Sequence, residues 1–100
     1  MVLSITNDSV LVRDKGLAAA DVDGRIVVLN LHAGSYFDFN RVATEVWCML
    51  AEPCPVSKIF QSLSKRHDVD AETLARDVTP FLQALVEQRL ARFVGADEMR

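Results

Sequence analysis

The sequence predicts an α+β fold in which a three-stranded antiparallel β-meander is followed by three helices. Two observations carry this prediction. Apolar residues alternate with polar ones before Asn40 and recur at helical spacing after it. Short turn signals divide the first part of the chain, and prolines and helix caps divide the second. With 100 residues, half of them hydrophobic, the chain is expected to form a single domain over residues 1–100.

The meander is built around two short turns. Residues 17–22 and 25–31 flank the dipeptide Asp23-Gly24, which accepts the positive φ angles of a tight hairpin turn. A second turn at residues 32–34 leads to an aromatic-rich third strand over residues 35–39. We therefore expect three strands in antiparallel order, with the third at the edge of the sheet.

The third strand lacks the usual protection of an edge. It contains no lysine, proline or bulge signal that would discourage pairing with another chain. Alternation places Phe37 and Phe39 on one side and Tyr36 and Asp38 on the other. Two interpretations stay open: the two phenylalanines face the core beneath a covering helix, or strand and helix form a groove that captures an extended peptide.

The first two helices have clear boundaries. Asn40 is a good N-cap for a helix that continues to about Ala51, where Pro53 and Pro55 end the helical pattern. Apolar residues at i, i+3, i+4 and i+7 then predict a second helix from Val56 to about residue 66.

The last part of the chain predicts a third helix with an internal proline. Asp70 is its candidate N-cap, and Pro80 is expected to kink it or to break it in two near Thr79. Residues 90–94 form either a short closing strand or an extended tail, and residues 8–13 add a possible short strand at the other end. The apolar side of the helix consists of Leu74, Val78, Phe81, Leu82, Leu85 and Val86.

Several classes of protein are disfavoured. The N-terminal residues 1–12 do not form a signal peptide, and no run approaches the roughly 20 apolar residues of a membrane span, so we expect a cytoplasmic protein without a membrane partner. Five residues separate the cysteines, which disfavours a metal site; Cys48 is expected to be buried and Cys54 to be a loop thiol. We find no nucleophile motif or phosphate loop, and expect neither catalysis nor a cofactor.

A winged-helix DNA-binding regulator is the main alternative. The second and third helices resemble a helix-turn-helix, and the hairpin would supply the wing. Charge disfavours this alternative, because between residues 70 and 88 the single basic residue Arg76 faces four acidic ones that phosphates would repel. Those acidic residues are Asp70, Glu72, Asp77 and Glu87. We therefore expect no nucleic-acid partner.

The order and spacing of several short stretches resemble the pyrroloquinoline quinone synthesis protein D family over residues 17–94. The stretches are Gly34 to Asn40 (Gly-Ser-Tyr-Phe-Asp-Phe-Asn), Val46-Trp47 with Leu50, Val56 with Ile59 and Leu63, and Asp77-Val78 with Phe81-Leu82 and Leu85. Within the family, the chain looks most like the discrete leader-binding proteins of lasso peptide pathways. The family supplies the recognition elements for ribosomally synthesised, post-translationally modified peptides.

The resemblance implies a fold, a ligand and a binding site. It implies the meander followed by a winged helix-turn-helix unit, without catalytic residues or cofactor. The leader segment of a precursor peptide would add to the third strand and pack against the third helix. One wall of the site would be Tyr36, Phe37, Asp38 and Phe39, and the other Asp77, Val78, Phe81, Leu82 and Leu85, some of them shared with the core.

The resemblance also implies enzyme partners. In lasso pathways these are a leader peptidase and then a cyclase, and in the quinone pathway a radical SAM enzyme. The chain departs from the family pattern at Pro80, inside the binding helix, and at Pro55, which replaces a hydroxyl cap before the second helix. An unprotected edge strand also allows a homodimer.

Overall fold

The computed structural model describes residues 5–95 and contains nine elements of secondary structure. It confirms the α+β class, with antiparallel strands and three helices. In chain order the elements are β1 (Val10–Arg13), β2 (Leu17–Val22), β3 (Arg25–Asn30), β4 (Ser35–Asp38), α1 (Arg41–Met49), β5 (Cys54–Pro55), α2 (Val56–His67), α3 (Ala71–Glu87) and β6 (Ala91–Phe93).

The strands form two separate antiparallel sheets. The predicted meander is confirmed as the sheet β2-β3-β4, in which Val28 pairs with Phe37 and Leu29 with Tyr36. The other sheet has the order β5-β1-β6. It confirms the two short terminal strands that the sequence left open. The two-residue strand β5 was not predicted.

The turn between β2 and β3 has the predicted geometry. Asp23 and Gly24 have φ angles of 55° and 85°, the pair of positive values that a type I′ hairpin turn requires. The Asp21 carboxylate accepts a hydrogen bond of 2.8 Å from the Gly24 amide and closes the turn. The hairpin therefore holds β3 in register, and β3 in turn positions β4.

The helices begin where their caps predict. The Asn40 side chain accepts a hydrogen bond of 2.8 Å from the Ala43 amide, and Asp70 accepts one of 2.9 Å from the Thr73 amide. Pro55 precedes α2 and provides no side-chain cap. Within residues 5–95, no helix combines the length and apolarity needed to cross a membrane.

Of the two effects expected of Pro80, the break is wrong, because α3 runs without interruption from Ala71 to Glu87. The kink stays a prediction. Pro80 is exposed on the surface of the helix. Its missing amide leaves the carbonyl of Arg76, which is also an exposed residue, without its helical partner. Water can hydrogen-bond to a carbonyl at such a position, so the loss of one bond does not end the helix.

The core lies between the helices and the inner faces of both sheets. Trp47 of α1 is 2% exposed, and Arg13 of β1 lies 4.7 Å above its ring. This contact links the sheet β5-β1-β6 to the helix that follows β4. The largest fully buried side chains are Leu11, Leu50, Ile59, Leu63, Leu82, Leu85, Leu90, Val28, Val46 and Val56.

The expected environments of the two cysteines are reversed. Cys48 lies on α1 and is exposed, whereas Cys54 lies in β5 and is buried. Helical spacing places Val46 and Trp47 toward the core and turns Cys48 outward. Burial raises the pKa of the Cys54 thiol, and nearby Lys58 partly opposes that rise.

Candidate functional site

The open edge of β4 is the first component of the site. β4 pairs with β3 on one side, and no other strand of the described chain pairs with its second side. The Phe39 amide donates a 2.9 Å hydrogen bond to the Ile26 carbonyl. Along an antiparallel strand, the backbone groups of alternate residues bond to the neighbouring strand or point away from it. Since Phe39 bonds to β3, the backbone groups of Tyr36 and Asp38 point to the open edge. Within residues 5–95 no backbone group bonds to them, so they can pair with an added strand.

The side chains of β4 alternate as predicted. Phe37 packs partly buried against the core, and Phe39, one residue beyond the strand, is only 5% exposed. Tyr36 is 71% exposed on the opposite face, where Asp38 also lies. The two phenylalanines therefore face the core, as one interpretation of the sequence held, while the backbone edge beside them remains open.

The end of β4 is anchored by side chains from neighbouring elements. Arg25 lies 3.1 Å from the Asp38 carboxylate and donates a 3.2 Å hydrogen bond to the Phe39 carbonyl. The Thr44 hydroxyl of α1 accepts a 3.1 Å hydrogen bond from the Ile26 amide and donates to the Phe39 carbonyl. The exposed ion pair contributes little free energy, but these contacts fix where the strand ends and α1 begins.

An apolar groove lies beside this anchored end and forms the second component. It has a volume of about 310 Å³ and lies between the start of α1 and the middle of α3. The Phe81 ring meets the Phe39 ring edge-on, with 5.5 Å between centroids, and so connects the groove to the end of β4. The groove is lined by Asn40, Val42, Ala43, Leu74, Asp77, Val78 and Phe81.

The residues expected to form the helix wall occupy two environments. Asp77, Val78 and Phe81 line the groove. Leu82 and Leu85 are 0% and 1% exposed and lie in the core beneath α3. Their burial places them behind the wall rather than on its surface.

Four groove residues were absent from the sequence-based expectation. Val42 and Ala43 of α1 and Leu74 of α3 are apolar helix positions that were not expected at the site, and Asn40 was identified only as a cap. The pattern identifies a buried face but does not show where two such faces separate to leave a groove.

The site carries negative rather than positive charge. Asp77 is exposed at the groove, and no basic side chain within residues 5–95 forms an ion pair with it. At the start of α3, hydrogen bonds from the side chain and backbone of Thr73 lower the pKa of Asp70. The groove lining therefore contains no basic side chain that would attract phosphates.

The sequence family agrees with this geometry. The family of coenzyme PQQ synthesis protein D (PqqD) matches residues 25–91, which span β3 and β4 of the meander, all three helices and the first residue of β6. The chain belongs to the PqqD family. Among curated proteins, no match to this PqqD-family chain is found.

Three solved structures are similar in fold to this PqqD-family protein. TbiB1 in complex with the TbiA(beta) leader peptide is 27% identical, with a TM-score of 0.76, covering 84% of this chain and 98% of TbiB1. A lasso peptide synthetase B1 complexed with the leader peptide is 21% identical, with a TM-score of 0.73 and coverage of 82% and 96%. The PqqD truncation of Methylobacterium extorquens PqqCD, a stand-alone recognition element, is 22% identical, with a TM-score of 0.73 and coverage of 89% and 95%. The last two likenesses concern the fold alone.

Proposed function

We propose that this protein binds the leader segment of a ribosomally synthesised precursor peptide and presents it to a processing enzyme. The leader would add as a strand to the open edge of β4, within residues 35–39, and pack against α3. One observation carries the proposal: an unpaired strand edge ends beside an apolar groove of about 310 Å³. An edge that recruits a strand next to a pocket that selects side chains is the arrangement of peptide binding by β-augmentation.

The two components would contribute differently to binding. The backbone groups of Tyr36 and Asp38 would bond to the leader main chain, which gives affinity with little dependence on sequence. Leader side chains on the inner face would point toward Phe37, Phe39 and the groove. Burying one large apolar side chain there contributes about 1.5–3 kcal/mol before the costs of association.

The helix wall would consist of contacting and supporting residues. We assign contact with the leader to Asp77, Val78 and Phe81, which line the groove. Leu82 and Leu85 would hold α3 in place from within the core. The exposure of each side chain decides this division, and all five residues would contribute to leader binding.

The relatives support this function by similarity. TbiB1, at 27% identity over 98% of its length, is described in complex with a leader peptide. We extend the proposal to lasso peptide biosynthesis, with a leader peptidase and a cyclase as partners and a cytoplasmic location. A radical SAM enzyme of quinone cofactor biosynthesis is the alternative partner within the family. The protein itself would have no catalytic residue and no cofactor.

The proposal is tested by titrating the protein with synthetic leader peptides of precursors encoded in the same gene neighbourhood. Binding is measured by fluorescence anisotropy, with a scrambled leader as control. Hydrogen exchange then reports the site: we expect the amides of Tyr36 and Asp38 to become protected, because they face the added strand. Binding of duplex DNA with a steep salt dependence, without leader binding, would favour the winged-helix regulator instead.

A further inference from the structure

The outer face of the meander is unusually apolar for a surface that faces solvent. All the large hydrophobic side chains exposed within residues 5–95 belong to this region: Val22 at 53%, Leu29 at 38%, Leu31 at 59% and Tyr36 at 71%. The register pairs Ala18 with Leu29 and Leu29 with Tyr36, so these three share the face opposite the buried Val28. We call this surface the outer face. Its apolar residues are Ala18, Ala20, Val22, Val27, Leu29, Leu31 and Tyr36.

The charge of the outer face is neutralised internally. Its two charged residues, Arg25 and Asp38, lie at one end of the sheet and pair with each other at 3.1 Å. No excess charge therefore remains to recruit a nucleic acid or a charged membrane surface. An apolar patch framed by polar groups is typical of a protein interaction site.

We propose that the outer face is the docking surface for the enzyme that acts on the bound precursor, and that this enzyme contacts it through an apolar surface of its own. The inference rests on the proposed function, because it places the enzyme relative to the leader strand. A strand added to β4 continues the same sheet, and its residues opposite Tyr36 and Asp38 point to the outer face. The enzyme would thus contact the sheet and the leader together.

The size of the face favours this occupant over a second copy of the chain. The four large side chains expose roughly 400 Å² between them, about half of the 800 Å² that each partner buries in a stable interface. The four large apolar side chains alone are therefore too small a surface for a stable dimer. An added leader strand enlarges it with its own side chains, so association with the enzyme is expected to strengthen when the leader is bound.

The test uses two variants at opposite ends of the face, Val22→Asp and Leu31→Asp, with Gln61→Asp on the exposed surface of α2 as the matched control. The probes are the peptidase and cyclase encoded with the precursor, added to immobilised protein with and without saturating leader. We expect the leader to enhance enzyme binding to the unmodified protein. Each outer-face variant should keep its leader affinity, while enzyme affinity and the rate of precursor cleavage fall about ten-fold or more. The control should change neither.

Each outcome has a distinct meaning. Leader binding that persists while enzyme binding and cleavage are unchanged in both variants would overturn the docking surface alone. An unmodified protein that fails to bind the leader would overturn the proposed function, and the inference with it. An unmodified protein that sediments as a dimer, and that either variant converts to a monomer, would assign the outer face to a second copy. Circular dichroism identifies a variant that fails to fold, and the other variant then decides.

Discussion

Phe39 is the residue through which the strand edge, the groove and the core depend on one another, so its truncation should be costly. The side chain is 95% hidden and lies 5.7 Å from the Trp47 ring and 5.5 Å from the Phe81 ring, measured between centroids. Phe39→Ala removes a buried ring, two aromatic contacts and the support of the groove wall. Comparable truncations cost about 3–5 kcal/mol. Against a total stability of about 5–15 kcal/mol, this loss is a large fraction.

Urea denaturation followed by tryptophan fluorescence measures this cost, because Trp47 is the only tryptophan and contacts the mutated ring. The midpoint should fall while the m-value stays constant, since the same surface is exposed on unfolding. The matched control is Phe37→Ala, which removes a half-buried ring two residues earlier, in β4. We expect roughly half the loss for the control. A cost below about 1 kcal/mol for Phe39→Ala, or one no larger than the control's, would refute the placement of Phe39 in the core.

Three further predictions concern the helices and the cysteines. Pro80→Ala should stabilise the protein by about 1–3 kcal/mol in thermal or urea unfolding, because alanine restores the amide that Pro80 lacks and with it the helical hydrogen bond to the Arg76 carbonyl. A destabilised variant would contradict this. Because the pKa of Asp70 is lowered in the folded state, its cap stabilises the protein above about pH 4, and this contribution is lost as the pH falls through the folded pKa. Asp70→Asn should therefore lessen the decline of stability in acid. An unchanged dependence of stability on pH would contradict the assignment. A thiol reagent should modify the exposed Cys48 in the native protein and Cys54 only slowly, as followed by mass spectrometry, and the reverse order would contradict the structure.

The parts of the fold set by local interactions could be predicted from the sequence. The hairpin at Asp23-Gly24 follows from the φ preferences of two adjacent residues, and the starts of α1 and α3 follow from the capping side chains of Asn40 and Asp70. The alternation of β4 likewise needs only the period of a strand. In each case the residues that determine the geometry lie within four positions of one another.

The features that were missed depend on distant parts of the chain. β5 is two residues long and exists only because Leu11 pairs with Cys54. The reversal of the cysteine environments has the same origin, since Cys54 lies buried in the strand that pairs with β1, whereas Cys48 lies exposed on α1. The effect of Pro80 depended on which side of α3 faces solvent. Local pattern does not contain these contacts, which link residues tens of positions apart.

The same limit applies to the candidate site. The aromatic pattern identified β4 and its two faces, and the apolar side of α3 identified the helix that lies opposite. Whether a given side chain on that helix is covered or open depends on how closely α1 approaches it. Phe81 lies at the groove, whereas the next residue along the helix, Leu82, is fully buried.

The central claim is that a leader strand hydrogen-bonds to the open edge of β4, and Tyr36→Pro tests it most directly. The Tyr36 amide points away from β3, so proline should remove a donor to the leader while leaving the β3-β4 pairing intact. Tyr36→Ala removes the same side chain and keeps the amide. Leader affinity measured by fluorescence anisotropy should fall at least about ten-fold for Tyr36→Pro relative to Tyr36→Ala, because a backbone bond is lost and the proline ring obstructs the added strand. Equal affinities of the two folded variants would contradict strand addition at this edge.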